Sequence, residues 1–231
     1  MKSLMRMFKR ILFFAIAILF LYQLWVFGWV LWWKWNPPTE TSFMEIRLDE
    51  LQGKNPHAKL QYQWVPYEKI SMNLKRAVVA AEDDKFMEHN GFDWAGIESA
   101  LKKNQRKGKK VAGGSTITQQ LAKNLFLSPS RSYLRKIQEA VITVIIETVW
   151  DKRRILEVYL NVVEWGGGVF GAEAGARRHF SQSAAYLSES QAARMAVMLP
   201  SPRRFEKRLP TYAVDHAQSV QQRMHSSSVP R

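Results

Sequence analysis

Apolar positions follow three patterns along this chain, and each predicts a different kind of element. From Ile11 to Trp33 the run is continuous, with 23 residues that carry no charge and only Tyr22, Gln23 and Gly28 as interruptions. At about 1.5 Å per residue such a helix reaches roughly 34 Å, enough to cross a bilayer core with some tilt. Between residues 41 and 69 the pattern is short and mixed. TSFMEIRL and KLQYQWVP read as extended segments of a small hairpin around Gly53-Lys54-Asn55-Pro56, with His57 a solvated turn residue. Beyond that, helical spacing dominates. Ser71 caps a helix with Leu74, Ala77, Val78 and Ala81 on one face, ending near Asn90-Gly91 or several residues earlier. Asp93 caps a second from Trp94 to Asn104, with Trp94, Ile97 and Leu101 inward. Gly113-Gly114 make a tight turn, Ser115 caps, and Ile117, Leu121 and Leu125 form a stripe. The next helix, Arg131 to Glu147, is read with Ile137, Val141, Val144, Ile145 and Thr148 on its buried side.

The remainder is punctuated as clearly. Asp151 caps a helix carrying Ile155, Leu156, Tyr159, Leu160 and Val163, with Glu157 and Asn161 on a separate polar face. Three glycines at 166–168 break it, and Gly171 opens a short helix through Phe180. Ser188 to Gln191 has the form of a capping box, and a last helix from Thr211 gives way to a loose tail.

Charge changes the picture. The chain carries a formal net charge of +14, and Lys2, Arg6, Lys9 and Arg10 precede the apolar run. Cations on that flank place the N-terminus in the cytoplasm and the rest outside, with Trp25, Trp29, Trp32, Trp33 and Trp35 at the far interface. A cleaved signal peptide is the competing reading, disfavoured by the length of the run and the lack of a small-residue cleavage site. The absence of cysteine excludes disulfides and thiolate metal sites. The expected organisation is a basic tail at 1–10, a transmembrane helix at 11–33, a linker at 34–40, one globular domain at 41–205, and a C-terminal helix and tail at 206–231. Lys102 to Lys110 hold six cations and no apolar residue, which reads as a mobile loop facing acidic lipid head groups. No aromatic interleaving accompanies the charge, so no nucleic-acid partner is expected.

Two stretches carry candidate chemistry. EDDKFMEHNGFD, from Glu82 to Asp93, sets carboxylates at a helix C-terminus, where the dipole disfavours them. Crowding there raises proton affinity, as a general base requires; a solvated acidic helix end is the bland alternative. GGSTITQQLAKNL, from Gly113 to Leu125, places Thr116, Gln120 and Lys123 on one helix face behind free backbone N–H groups, an arrangement suited to a phosphate. It is not a nucleotide P-loop, because no Gly-Lys-Ser/Thr follows at the required spacing. Lys136 and Glu139 are i, i+3 neighbours, by themselves an ordinary ion pair.

These stretches, with RKIQE at 135–139 and KRRILEVYLNVVEWGGGVFGAEAGARRHF at 152–180, resemble in order and spacing the successive motifs of glycosyltransferase family 51, the peptidoglycan glycosyltransferases. The likeness covers about residues 40 to 205. His179, Gly175 and Gln191 depart from the usual Tyr, Ala and Glu. The resemblance implies a mostly α fold, with a lysozyme-like globular lobe and a small membrane-proximal lobe after one N-terminal transmembrane helix, in the bacterial inner membrane. It implies lipid II and a growing lipid-linked glycan as substrates, with membrane lipids and other cell-wall synthesis or division proteins as further contacts. Glu82 is then the general base. Glu139 is the second catalytic glutamate, in a supporting role that orients Lys123, Arg131 and Lys136 around a leaving pyrophosphate or holds a divalent cation, Mg2+ or Mn2+, across it. Asp83, Phe86, His89, Ser115, Thr116, Gln120 and Asn124 complete the implied site, with His89 either bonding Glu82 or bracing the loop. A membrane-bound glycan hydrolase and a lipid-gripping scaffold are the competing readings.

Overall fold

The computed structural model describes residues 2–108, 113–130, 132–207 and 210–231, so Arg131 and the last two cations of the run at 102–110 lie outside the described residues. The chain forms two units, residues 1–36 and 37–231. The first is a single helix, α1 (Lys2–Trp32). Its stretch Leu4–Trp32 contains an 18-residue window of mean hydropathy 2.3 and has the length and composition to cross a membrane. Nearly all its large apolar side chains face outward, as suits a helix surrounded by lipid.

The second unit is mostly helical. Its first element corrects the expected hairpin: α2 (Ser42–Gln52) is a helix, started by Thr41, whose hydroxyl accepts from Met44 N. The short alternation in TSFMEIRL gave way to a good cap and a first-turn Glu45. Strand β1 (Gln61–Tyr62) pairs with a strand a hundred residues later, not with its neighbour. Helix α3 (Met72–Glu82) begins at Ser71 as predicted and buries Leu74, Ala77 and Val78. Helix α4 (Trp94–Lys107) is capped by Asp93 but buries nothing: Trp94 is 73% and Leu101 56% exposed, opposite to the inward face expected. It also runs through most of the basic stretch read as a loop, ending at Gly108 in the left-handed region.

Helices α5 (Ile117–Phe126), α6 (Tyr133–Val149) and α7 (Lys152–Val162) pack on one another. The stripe Ile117, Leu121, Leu125 is buried as expected. On α6 the expectation is inverted. Leu134 and Ile137 are 80% and 63% exposed and Val144 also faces out, while Glu139, Ile142, Thr143 and Ile146 turn inward. The periodicity identified an apolar face correctly, but α6 turns its mixed face, with Glu139, toward α5.

The glycines at 166–168 join β2 (Glu164–Gly166) and β3 (Val169–Phe170) in an antiparallel hairpin, and the sheet runs β1-β3-β2 with β1 parallel to β3. Helices α8 (Ala172–Phe180), α9 (Glu189–Ala196), α10 (Pro202–Lys207) and α11 (Thr211–Arg223) follow, with the capping box at Ser188 and Gln191 formed. Helix α3 packs against α9 and α11. The polar pair on α7 is buried and holds backbone: Glu157 accepts from Tyr67 N at 2.8 Å, and Asn161 accepts from Val65 N and donates to Val65 O, both at 2.9 Å. The C-terminal tail is not loose. Tyr67 donates to Pro230 O at 2.6 Å and Ser227 to Asp84 at 2.7 Å, tying the last residues to the segments flanking α3.

Gly175, where the resemblance has Ala, lies against the fully buried Trp165: a Cβ there would come within 2.8 Å of the indole Cγ. Gly175→Ala is therefore expected to destabilise this chain by about 1–3 kcal/mol through overpacking. Thermal unfolding of the detergent-solubilised protein, followed by far-UV circular dichroism, should show Tm falling by about 2–4 °C per kcal/mol.

Candidate active site

Two carboxylates that are adjacent in sequence do different work. Asp83 is buried and anchors the loop: its Oδ1 accepts from His89 Nε2 at 2.8 Å and its Oδ2 from the backbone N of Ile117, the first residue of α5, at 2.9 Å. An anion at a helix N-terminus is favoured by the dipole and by the free N–H groups. His89 Nδ1 accepts from Gly91 N at 3.2 Å, so the imidazole proton sits on Nε2, aimed at Asp83. His89 thus braces the loop and does not reach Glu82. Gly91 adopts φ +87°, and a Cβ there would come within 2.6 Å of Thr143 Cγ2, which is how closely the loop approaches α6.

Thr116, not Ser115, caps α5. Its hydroxyl accepts from Gln119 N and donates to Gly91 O at 2.7 Å, so it is spent inside the fold. Ser115 is left exposed, where it accepts from Lys136 Nζ at 3.2 Å. Phe86 is fully buried beneath Lys152 Nζ, 4.6 Å from the ring centroid, and offers no surface to a ligand.

Glu82 has a different partner from those of Asp83. Its Oε2 accepts from Gln120 Nε2 at 2.7 Å, and Gln120 Oε1 accepts from Tyr159 OH at 3.0 Å. Burial raises its pKa above the ordinary 4.5; the Gln120 hydrogen bond and the Lys123 charge pull it back, and Asp83 adds a smaller push upward. Desolvation, more than the crowding of carboxylates read from the sequence, governs this group. Asp84 takes no part, since it is exposed and bonded to Ser227.

The cations converge on Glu139. This carboxyl is buried, with Arg135 Nη1 2.5 Å from Oε2 and Lys136 Nζ on Oε1. Lys123 feels both glutamates. Burial lowers its pKa most, Glu139 and Glu82 raise it, and Arg135 and Lys136 lower it further. Its ammonium lies 5.3 Å from the centroid of Phe43 on α2. Gln120, Lys123 and the buried Asn124 line a cleft of about 1010 Å³ that extends past Arg47 and Glu164 to Arg203 on α10. Sequence reasoning passed over Arg135, although its i, i+4 spacing to Glu139 was visible, and Arg47, which grips Glu164 at 2.7 and 2.9 Å across 117 positions and left no local signal.

The described side chains alone do not form a complete divalent-cation site. Among the described residues no three His, Cys, Asp or Glu side chains cluster as metal ligands, and both oxygens of Glu139 are taken by Arg135 and Lys136.

A description of the transglycosylase family matches residues 49–225 of this chain. The biosynthetic peptidoglycan transglycosylases of Aromatoleum aromaticum and of an Azoarcus species are each 60% identical to it over 230 residues, all of both chains. That of Thiobacillus denitrificans is 64% identical over 192 residues, 83% of each chain. With a family match over most of its length and relatives alike from end to end, the chain belongs to the transglycosylase family and is a glycosyltransferase.

Proposed function

We propose that this chain polymerises lipid II into β-1,4-linked glycan, with Glu82 as general base and Lys123, Arg135 and Lys136 stabilising the departing undecaprenyl pyrophosphate. The observation that carries this reading is the asymmetry of the site. One half-buried carboxyl of raised proton affinity is held by Gln120, and a group of cations gathers on a second carboxyl that has no free oxygen. A glycosidase needs a second, proton-donating carboxyl for an alkoxide leaving group. A pyrophosphate leaves as a stable anion and needs positive charge instead.

The acceptor's 4-hydroxyl attacks the donor's anomeric carbon from the face opposite the pyrophosphate. As the new C–O bond forms, the hydroxyl proton passes to Glu82, and the electron pair of the breaking bond goes to the phosphate oxygen. The centre inverts from α to β. Glu139 gathers Arg135 and Lys136 on its two oxygens and offsets part of the repulsion among the cations, which makes it a positioning group. Arg131, outside the described residues, belongs to the same proposed set by resemblance. The N-terminal helix holds the domain outside the cytoplasmic membrane, where enzyme and lipid-linked substrate share one thin layer and meet at high effective concentration.

Incubation of the detergent-solubilised protein with lipid II is the direct test. Wild type should yield glycan polymer and Glu82→Gln should lose about 10²–10⁴-fold of the rate. Cleavage of finished glycan in place of polymer would establish the hydrolase reading. Because Glu82 binds its proton more tightly folded than unfolded, its ionised form costs stability once pH rises through the folded pKa. Glu82→Gln should therefore have a Tm at neutral pH no lower than wild type, which separates lost chemistry from lost folding. Lys136→Ala should cost about 10²-fold in kcat, with polymerisation at the wild-type rate overturning its leaving-group role. The profile of kcat/KM against pH should be a bell. Its acid limb, where Glu82 takes up a proton, should lie above 4.5, and its alkaline limb, where Lys123 loses its charge, below 10.5.

A further inference from the structure

The hydrogen-bond chain behind Glu82 ends on a residue for which the proposed mechanism has no use. Tyr159, in the middle of α7, is fully buried, and its hydroxyl lies 3.0 Å from Gln120 Oε1. Gln120 in turn offers Nε2 to Glu82 at 2.7 Å. A glutamine amide is two-faced: turned over, it would present its oxygen to position 82 and could accept only from a protonated carboxyl. We propose that Tyr159 is a positioning residue that locks the Gln120 amide with its NH2 toward Glu82, so that this hydrogen bond favours the ionised base over its protonated form.

The argument rests on counting donors and acceptors. A carboxylate only accepts, so the amide nitrogen must face Glu82 and the amide oxygen must face Tyr159, which must donate. Burial and the nearby charges of Glu82 and Asp83 hold the phenol pKa well above 10, so the hydroxyl keeps the proton it donates. If the amide turned over, that buried proton would lose the acceptor it has here, and the cost of a stranded donor opposes the turn. The charged groups that face Glu82 are Asp83 from its own segment and Lys123 from α5, the latter tied to Arg135, Lys136 and Glu139 on α6. None of them contacts the amide oxygen in the way Tyr159 does, and Tyr159 itself carries no charge.

The kinetic half of the test rests on Glu82 being the base, so the proton affinity of Glu82 is read separately. The full-length protein in detergent, labelled with 13C at glutamate carboxyls, is titrated by NMR, with Glu82→Gln used to assign the signal. Tyr159→Phe keeps the ring and removes the hydroxyl. Its Glu82 midpoint should rise by roughly half a pH unit or more, with the acid limb of kcat/KM moving by the same amount and the plateau kcat within about threefold of wild type. In a Gln120→Ala background the same substitution should move the midpoint no further, because Tyr159 acts only through the amide. An unmoved midpoint in Tyr159→Phe, or an equal shift in both backgrounds, overturns the relay. A shifted midpoint with an unshifted acid limb supports the relay and removes Glu82 as the base. If Tyr159→Phe does not fold, wild type still decides. The Tyr159 hydroxyl proton should stay protected from exchange below and above the Glu82 midpoint, and loss of protection at low pH would mean that the amide turns freely.

Discussion

The candidate site depends on keeping a buried carboxyl of raised proton affinity and several cations within electrostatic reach of one another without letting them neutralise one another. In a partly desolvated pocket, Coulomb attraction is strong enough to collapse such a set into closed ion pairs. The chain avoids this by giving the cations a dedicated partner. Glu139 engages Arg135 and Lys136 through its two oxygens, and among the described residues Lys123 is left under the influence of both glutamates without a hydrogen bond to either. Glu82 is held by a neutral amide, which fixes its direction and leaves its basicity largely to burial. The division of labour between the two carboxylates comes from their partners, not from their chemistry.

The rigidity this needs comes from a few buried polar contacts between segments distant in sequence. Asp83 joins the loop after α3 to the start of α5, and Thr116 ties the same helix start to Gly91. Glu157 and Asn161 hold the backbone at 65–67 from the far side of α7. Each satisfies backbone groups that would otherwise be buried and unpaired, so they hold the loops as firmly as an apolar core would. The C-terminal segment adds a last tether through Ser227 and Asp84, one residue beyond Asp83.

Helices α4 and α6 also carry exposed apolar faces. Trp94, Leu101, Leu134, Ile137 and Val144 have helical spacing yet face away from the core. In a chain with an apolar N-terminal helix able to cross a bilayer, a second apolar medium competes for such faces, and amphipathicity alone does not say which one wins.

The sequence by itself determined whatever depends on short spans. The apolar run of α1, the caps at Ser71, Asp93, Asp151 and Ser188, the buried stripe on α5 and the pairing of Lys136 with Glu139 all follow from residues within a few turns of one another. Motif order named Glu82, Gln120, Lys123 and Glu139, which the fold brings within hydrogen-bonding or electrostatic reach of one another. Tertiary structure decided what depends on partners far along the chain. It set the cap at Thr116, whose hydroxyl reaches Gly91, in place of Ser115, the inverted face of α6, the pinned tail, and the contacts of Arg47 with Glu164 and of Tyr159 with Gln120. The reason is physical: periodicity records that a face is apolar or a group is polar, whereas burial and hydrogen-bond partners exist only once distant segments have met.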